Sequence, residues 1–276
     1  MDFSDRHDPA LFDFYLQLLK VDRSRPDLAF LTRLVRAHLD RFPFENISKL
    51  LYMKREGLKG LTGLRRYLDG AATHHFGGTC YSSNYYLHLL LTHLGFKVKL
   101  CGADMNRPDV HVVTIVTVEG REFLVDVGYA APFLDPMPLD LTDDYRIRLA
   151  EDHYHLRPRD QNDRWRLEMH RNGEIIHGYL VNPLPRTIDH FAPAILDSYR
   201  PAGTFMTSLL LTRFSPGRSA RINNMSVRLT NGQACQTHEM KTSAELFDAI
   251  EEHFGIPAAI TAEALEGLDL TGNTWS

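Results

Sequence analysis

Cysteine is scarce in this sequence, positive charge is in no surplus, and no apolar run is long. The 276 residues hold three cysteines, Cys80, Cys101 and Cys235. An odd, widely spaced set fits neither a disulfide framework nor a CxxC metal site, so a reducing compartment is the simplest reading. The formal charge of -4 provides no basic field to hold a nucleic-acid backbone or an anionic membrane, and neither partner is expected. No stretch approaches the roughly 18 apolar residues of a membrane helix. The first residues carry early acids and lack the basic and apolar regions of a signal peptide, so a cytoplasmic protein is expected. Phosphate loops of the GxxxxGK[ST] and GxGxxG types are also missing.

What is present is ordinary globular composition, with 43% hydrophobic and 24% charged residues, enough for one large core or two to three smaller ones. Up to about Leu94 the apolar spacing is helical, at Leu11, Phe14, Tyr15 and Leu18 and then at Leu28, Leu31, Leu34, Val35 and Leu39. Phe42-Pro43-Phe44 ends the second helix, because proline disfavours helix in the residue before it. A further helix is expected from Cys80 to Leu94, with Thr79 as its N-cap and Gly95 at its end.

From Phe96 the texture becomes β-like, in runs at 97–101, 112–118, 122–127, 145–149, 164–169 and 174–180. Pro132, Pro136, Pro138, Pro183, Pro185 and Pro193 are read as loop positions rather than ladder positions. Strand-like runs at 209–214 and 226–229 and a final helix at 243–254 close the chain. The expected fold class is α+β: an N-terminal helical bundle (1–95), a central antiparallel β-barrel (96–200) and a C-terminal α/β segment (201–276).

Cys80 stands where unpaired N–H groups and the positive dipole end of a helix favour an anion, after two glycines that permit close backbone approach. Downstream, residues 111–118 and 121–128 read as strands joined by the two-residue loop Glu119-Gly120. With Val118 opposite Arg121, Val113 faces Asp126, so His111 and Asp126 share a face as diagonal neighbours, about 7–8 Å apart at the backbone. An aspartate amid Phe123, Leu124, Val125 and Val127 needs a partner if buried, and the imidazole is one. A solvent-facing aspartate and an ordinary histidine among the fourteen present remain the plain alternatives. Together the three residue types supply thiolate, base and orienting carboxylate.

At these residues the sequence resembles the arylamine N-acetyltransferases. Residues 41–47, Arg-Phe-Pro-Phe-Glu-Asn-Ile, resemble that family's PFEN segment, with His38 at the upstream histidine position. Residues 77–84 resemble its RGGxCxExN motif, Asp126-Val127-Gly128-Tyr129 its DVGF element, and the segment from Ser198 to Phe205 its SxxPxSxF element. The resemblance implies a cysteine-protease-like catalytic core in which Cys80, His111 and Asp126 act as a triad, and it makes the C-terminal segment a lid. Acetyl-CoA would be the acyl donor, an arylamine, arylhydroxylamine or hydrazine the acceptor, and no metal would take part. Phe44, Tyr129 and Phe205 would contact substrate.

The chain departs from the pattern at several positions. Phe76 replaces the motif's arginine and Ser82 its glutamate, Thr79 precedes the cysteine, and Gly203 stands where serine is usual. Losing both charges together is expected to leave no lone buried charge. The interval from Cys80 to His111 is also short for the family, which implies a trimmed loop near the site. A hydrolase, amide synthase or transglutaminase-like enzyme using the same triad and a catalytically silent binding homologue stay open. The pairs His74-His75 and His153/His155 lack a third ligand at metal-site spacing.

Overall fold

The computed structural model describes residues 5–270, so the first four residues of the expected helical segment and the last six of the expected lid lie outside it. Helix α1 (Pro9–Leu19) starts with Asp8 accepting from Ala10 N, and α2 (Leu28–Arg41) with Asp27 accepting from Phe30 N. Such caps satisfy N–H groups that have no acceptor within the helix. Leu11, Tyr15 and Leu19 on α1 and Leu31, Leu34 and Val35 on α2 are buried. Each such leucine or valine stabilises the fold by about 1.5–3 kcal/mol. As expected, α2 stops before Phe42-Pro43. A two-residue strand, β1 (Phe44–Glu45), then leads into α3 (Ile47–Glu56), α4 (Leu64–His74) and α5 (Cys80–His93).

The next strands are β2 (Lys97–Asp104), β3 (His111–Val118), β4 (Arg121–Val125), β5 (Met137–Pro138), β6 (Tyr145–Leu149), β7 (Asp152–Leu156), β8 (Trp165–Arg171) and β9 (Glu174–Pro185). They form one antiparallel sheet in the order β5-β4-β3-β2-β9-β8-β7-β6, curled into a nearly closed barrel. The β3–β4 turn is the two-residue loop expected, with φ of 51° at Glu119 and 81° at Gly120, and Val118 pairs with Arg121. The ladder stops at Thr114 and Val125, so Asp126 lies just beyond β4 rather than within it.

Three of the prolines expected in loops, Pro138, Pro183 and Pro185, lie in strands instead. Pro138 pairs with Phe123 on an edge strand, where no donor is required, Pro185 pairs with Cys101 beyond a register shift, and Pro183 also falls within β9.

A turn of 3-10 helix (Ile188–Phe191), α6 (Ala192–Asp197) and α7 (Thr204–Thr207) lead to β10 (Leu210–Ser215), β11 (Arg218–Asn223), β12 (Ser226–Asn231) and β13 (Ala234–Glu239). These four strands make a second antiparallel sheet, whose outer partner is β1 from the helical region. Helix α8 (Ser243–Phe254) has the expected bounds but is not the last, because α9 (Ala258–Leu265) follows.

Three buried clusters hold the molecule together. One joins α1, α2, α4 and α5 to Val112, Val116, Val125 and Val127 of the barrel and to Phe191 and Ile195. A second fills the barrel, and a third lies between α3, the second sheet, α8 and α9. The first cluster packs α5 against β3, which brings the start of that helix to the start of that strand. Among the described residues no helix is long and apolar enough to cross a membrane.

Candidate active site

Cys80 is the first residue of α5, and it is 8% exposed. Thr79 occupies the cap position in an extended conformation, but its hydroxyl makes no capping bond. The amides of the first turn are therefore not satisfied by a cap side chain, which keeps the helix start receptive to negative charge. The glycine loop before it is pressed against the Pro43 segment: a Cβ on Gly77 would lie 1.9 Å from Pro43 O. Gly128 plays the same part from the barrel side, since its Cβ would fall 2.6 Å from the Cα of Cys80.

His111 and Asp126 meet as the hairpin register predicts. His111 Nε2 donates to Asp126 Oδ2 at 2.8 Å, and both side chains are buried. Burial alone would raise the carboxyl's pKa, but the charge of His111 and hydrogen bonds from His111, Asn84 and Tyr179 hold it below the usual range. Burial likewise opposes protonation of His111. The charge of Asp126, the hydrogen bond to it and the Cys80 side chain reverse the sign and lift the imidazole to about 10. With Nε2 committed to Asp126, Nδ1 is the nitrogen left for Cys80. Thiol, imidazole and carboxylate thus form a chain at one wall of a cavity.

Two residues complete the carboxylate's surroundings. Asn84 lies one helical turn after Cys80, on the same face of α5. Its Nδ2 donates to Asp126 Oδ1 at 2.9 Å and to Val112 O at 2.7 Å, while its Oδ1 accepts from Val127 N at 2.9 Å. One amide therefore ties α5 to β3, which carries His111, and to the segment just past β4, which carries Asp126. In the sequence Asn84 stands out only as part of the motif at 77–84, and its four-residue spacing from Cys80 is the signal that marks it. Tyr179 on β9 donates to Asp126 Oδ2 at 2.8 Å, and no local pattern announces it.

The cavity has a volume of about 1120 Å³, and Phe44, Cys80, His111, Tyr129 and Phe205 all contribute to its lining. Phe44 and Phe205 face each other with ring centroids 5.8 Å apart. Asn46 anchors the Phe205 segment through Nδ2 to Phe205 O and Ser208 O and through Oδ1 from Leu210 N. The rings of Tyr129 and His111 meet at a steep angle with centroids 5.7 Å apart, and the Tyr129 hydroxyl bonds His177 Nδ1 at 2.6 Å. Only residues 105–110 separate β2 from β3, and Asn106, Arg107 and Val110 of that short loop reach the cavity.

The departures from the family pattern resolve unequally. Phe76 is buried against Tyr52, and Ser82 Oγ donates to Thr79 O. A lone buried acid does remain, contrary to expectation: Glu45 is fully buried, and its partners are Ser48 N, Ser48 Oγ and Gly77 N rather than a cation. Burial raises its pKa against those hydrogen bonds. Gly77 and Gly78, in the loop before Cys80, therefore sit beside an acid satisfied by neutral donors. His153 and His155 share a strand face, where His155 stacks on His170 at 4.5 Å. Among the described residues no group of three or more His, Cys, Asp or Glu side chains is placed to hold a metal.

A family model described as N-acetyltransferase matches residues 27–262. An arylamine N-acetyltransferase of Mycolicibacterium smegmatis is 27% identical over 255 residues, 88% of this chain and 90% of that protein. A solved structure of the M. smegmatis arylamine N-acetyltransferase is 26% identical with a TM-score of 0.74, covering 92% of this chain and 97% of that one. The Mycobacterium marinum arylamine N-acetyltransferase, solved in complex with CoA, shares the fold at a TM-score of 0.78 and 21% identity, over 94% of this chain and 100% of that one.

Proposed function

The chain belongs to the arylamine N-acetyltransferase family, and from that premise we propose that it transfers acetyl groups from acetyl-CoA to arylamines, arylhydroxylamines or hydrazines by a two-step exchange through Cys80. The observation that carries this reading is the buried His111–Asp126 pair, joined at 2.8 Å, at the wall of the cavity that Cys80 also lines.

In the first step the Cys80 thiolate, paired with the His111 imidazolium, adds to the thioester carbonyl. The new S–C bond forms, the tetrahedral oxyanion collapses, and the C–S bond to CoA breaks. The departing sulfur takes the proton of His111. In the second step the acceptor nitrogen adds to the acetyl carbon. His111, now neutral, takes the proton that nitrogen sheds, and Cys80 leaves as the thiolate. Asp126 holds the ring in line and stabilises the imidazolium at each stage.

The three parts of the chain divide this work. The segment 1–95 supplies the nucleophile, 96–200 the histidine and aspartate, and the part of the last segment up to residue 270 covers the cleft and contributes Phe205. Phe44, Tyr129 and Phe205 give the acceptor ring apolar and aromatic contacts. Arg171, Arg221 and Arg228, which also line the cavity, suit the phosphates of the donor's nucleotide. That a CoA complex exists on the same fold supports the choice of donor.

Mass spectrometry after brief incubation with acetyl-CoA tests the proposal. One acetyl group should appear on the peptide carrying Cys80 and be absent from Cys80→Ser; an unmodified Cys80 would refute it.

A further inference from the structure

Asp109 stands two residues before His111 in the loop 105–110 and takes no part in the chemistry above, yet three elements around the site meet on it. Its backbone is left-handed, with φ of 53°, a conformation that few side chains besides asparagine and aspartate adopt readily. Both of its backbone polar groups are tied. Asp109 N donates to Asp104 Oδ1 at 2.9 Å, and Asp109 O accepts from the Tyr81 hydroxyl at 3.2 Å. Tyr81 is buried and directly follows Cys80 on α5.

The carboxylate is seated as well. Asp109 Oδ2 accepts from His190 Nε2 at 2.7 Å, and His190 belongs to the 3-10 turn that leads into α6. Asp109 Oδ1 is buried over Gly102 of β2, where a Cβ would lie only 1.7 Å from that oxygen. Gly102 pairs with Val112, the residue after His111. Phe191, next to His190, is buried with its ring centroid 5.9 Å from that of Tyr81, so the 3-10 turn and the nucleophile helix pack together beside the same carboxylate. Arg107 adds a second tie from this loop to α6, through Asp197 at 2.6 Å.

We infer that Asp109 is a positioning residue: seated between Gly102 and His190 and holding the Tyr81 hydroxyl, it fixes the distance from Cys80 to His111. The inference rests on the two-step reading proposed above, since it concerns the two groups that reading pairs. Cys80 adjoins Tyr81, and one residue separates Asp109 from His111. The Tyr81–Asp109 bond therefore closes a short ring through nucleophile and base. A left-handed residue persists where its surroundings over-determine it. Without the carboxylate's anchors Asp109 relaxes toward an ordinary conformation, and the loop end that leads into His111 moves with it.

Stopped-flow bursts of the full-length enzyme with p-nitrophenyl acetate test this, read as a saturating rate constant, a half-saturating ester concentration and an amplitude per chain. Asp109→Ala should lower the rate constant by about 100-fold, the effect of misplacing a reacting group by roughly 1 Å, with half-saturation unchanged. Asp109→Asn, which tolerates the left-handed backbone and keeps an acceptor oxygen, should restore most of the rate. His190→Ala alters a side chain that is 39% exposed, so folding is not at stake. It should slow acylation by a smaller factor, and should slow it no further once Asp109 is alanine, because both act through one contact. The amplitude counts folded chains with a reactive Cys80. A wild-type rate constant in Asp109→Ala or in His190→Ala would overturn the inference, as would losses that add in the double variant. Absence of any burst in wild type would instead refute the underlying two-step reading.

Discussion

Replacing Tyr179 with phenylalanine removes one hydroxyl and almost no volume, which makes it a clean probe of how the His111–Asp126 pair is held. The hydroxyl donates to Asp126 Oδ2 at 2.8 Å in a fully buried setting. A hydrogen bond to a charged group contributes about 1.5–3 kcal/mol. The carboxylate keeps its bonds to His111, Asn84 and Gly128 N, so the site should persist in weakened form. For a chain of this size the loss corresponds to a fall in Tm of roughly 3–12 °C at neutral pH.

The sign of the pH effect follows from the direction of the shift. The native carboxyl lies below its ordinary value. Its stabilising contribution is therefore present above an unfolded pKa of about 3.9 and is lost as pH falls through the native one. Tyr179→Phe raises the native pKa, so the Tm difference from wild type should be full at pH 7 and shrink as acid protonates Asp126 in both proteins. Stopped-flow acylation by p-nitrophenyl acetate should slow by about tenfold or more, because each 1.36 kcal/mol lost from the supported imidazolium is a factor of ten. Thermal melts from pH 7 down to below the ordinary carboxyl value of about 3.9, together with that burst rate, decide the matter. A variant with wild-type Tm and wild-type rate would refute the reasoning, since Tyr179 would then contribute nothing to holding the charge.

Other consequences follow from the same geometry. Gly128→Ala drives a Cβ against the Cα of Cys80, 2.6 Å away, and should cost about 100-fold or more in acylation rate, since displacing a reacting group by about 1 Å has that effect; circular dichroism should show the fold retained. His38 is buried, and burial lowers its pKa to about 3 from 6.5, so the native state resists the proton that the unfolded chain accepts. Stability should therefore fall as pH drops below 6.5, by about 2 kcal/mol at pH 5, and urea melts of His38→Gln should show that much less loss between pH 7 and 5. Burial pushes the Cys101 thiol up to about 12. Iodoacetamide at neutral pH should accordingly alkylate Cys80 well before Cys101, as read by peptide mapping.

Local chemistry made part of this molecule legible from its sequence. Helices α1, α2 and α5 could be read because one apolar stripe or a glycine-bounded run marks each, and the β3–β4 register because a two-residue loop admits a single pairing. That register was enough to bring His111 and Asp126 to one face. What escaped is either polar or remote. Strand β13 is exposed along its whole length and β11 is arginine- and serine-rich, so neither shows the alternation of a half-buried strand. The pairing of Phe44 with Thr212 joins residues far apart in sequence and has no local signature. Pro138 and Pro185 look like loop residues because the rule against proline concerns the donor side of a ladder, and at an edge or past a register shift that side is not needed. Tyr179 and Asp109 gain meaning only from partners on other elements. Glu45 shows the limit of reasoning from losses in pairs: a carboxyl can be satisfied by amides and a hydroxyl without any cation.

The most direct measurement begins with the acetyl-enzyme, formed from acetyl-CoA and freed of excess donor, and follows the Cys80 adduct with time at rising arylamine concentrations. The account predicts that the adduct decays at a rate that climbs with amine, releasing one N-acetylated product for each acetyl lost. Decay at one rate with or without amine would mean that water is the acceptor, and an acetyl group found on a residue other than Cys80 would contradict the account outright.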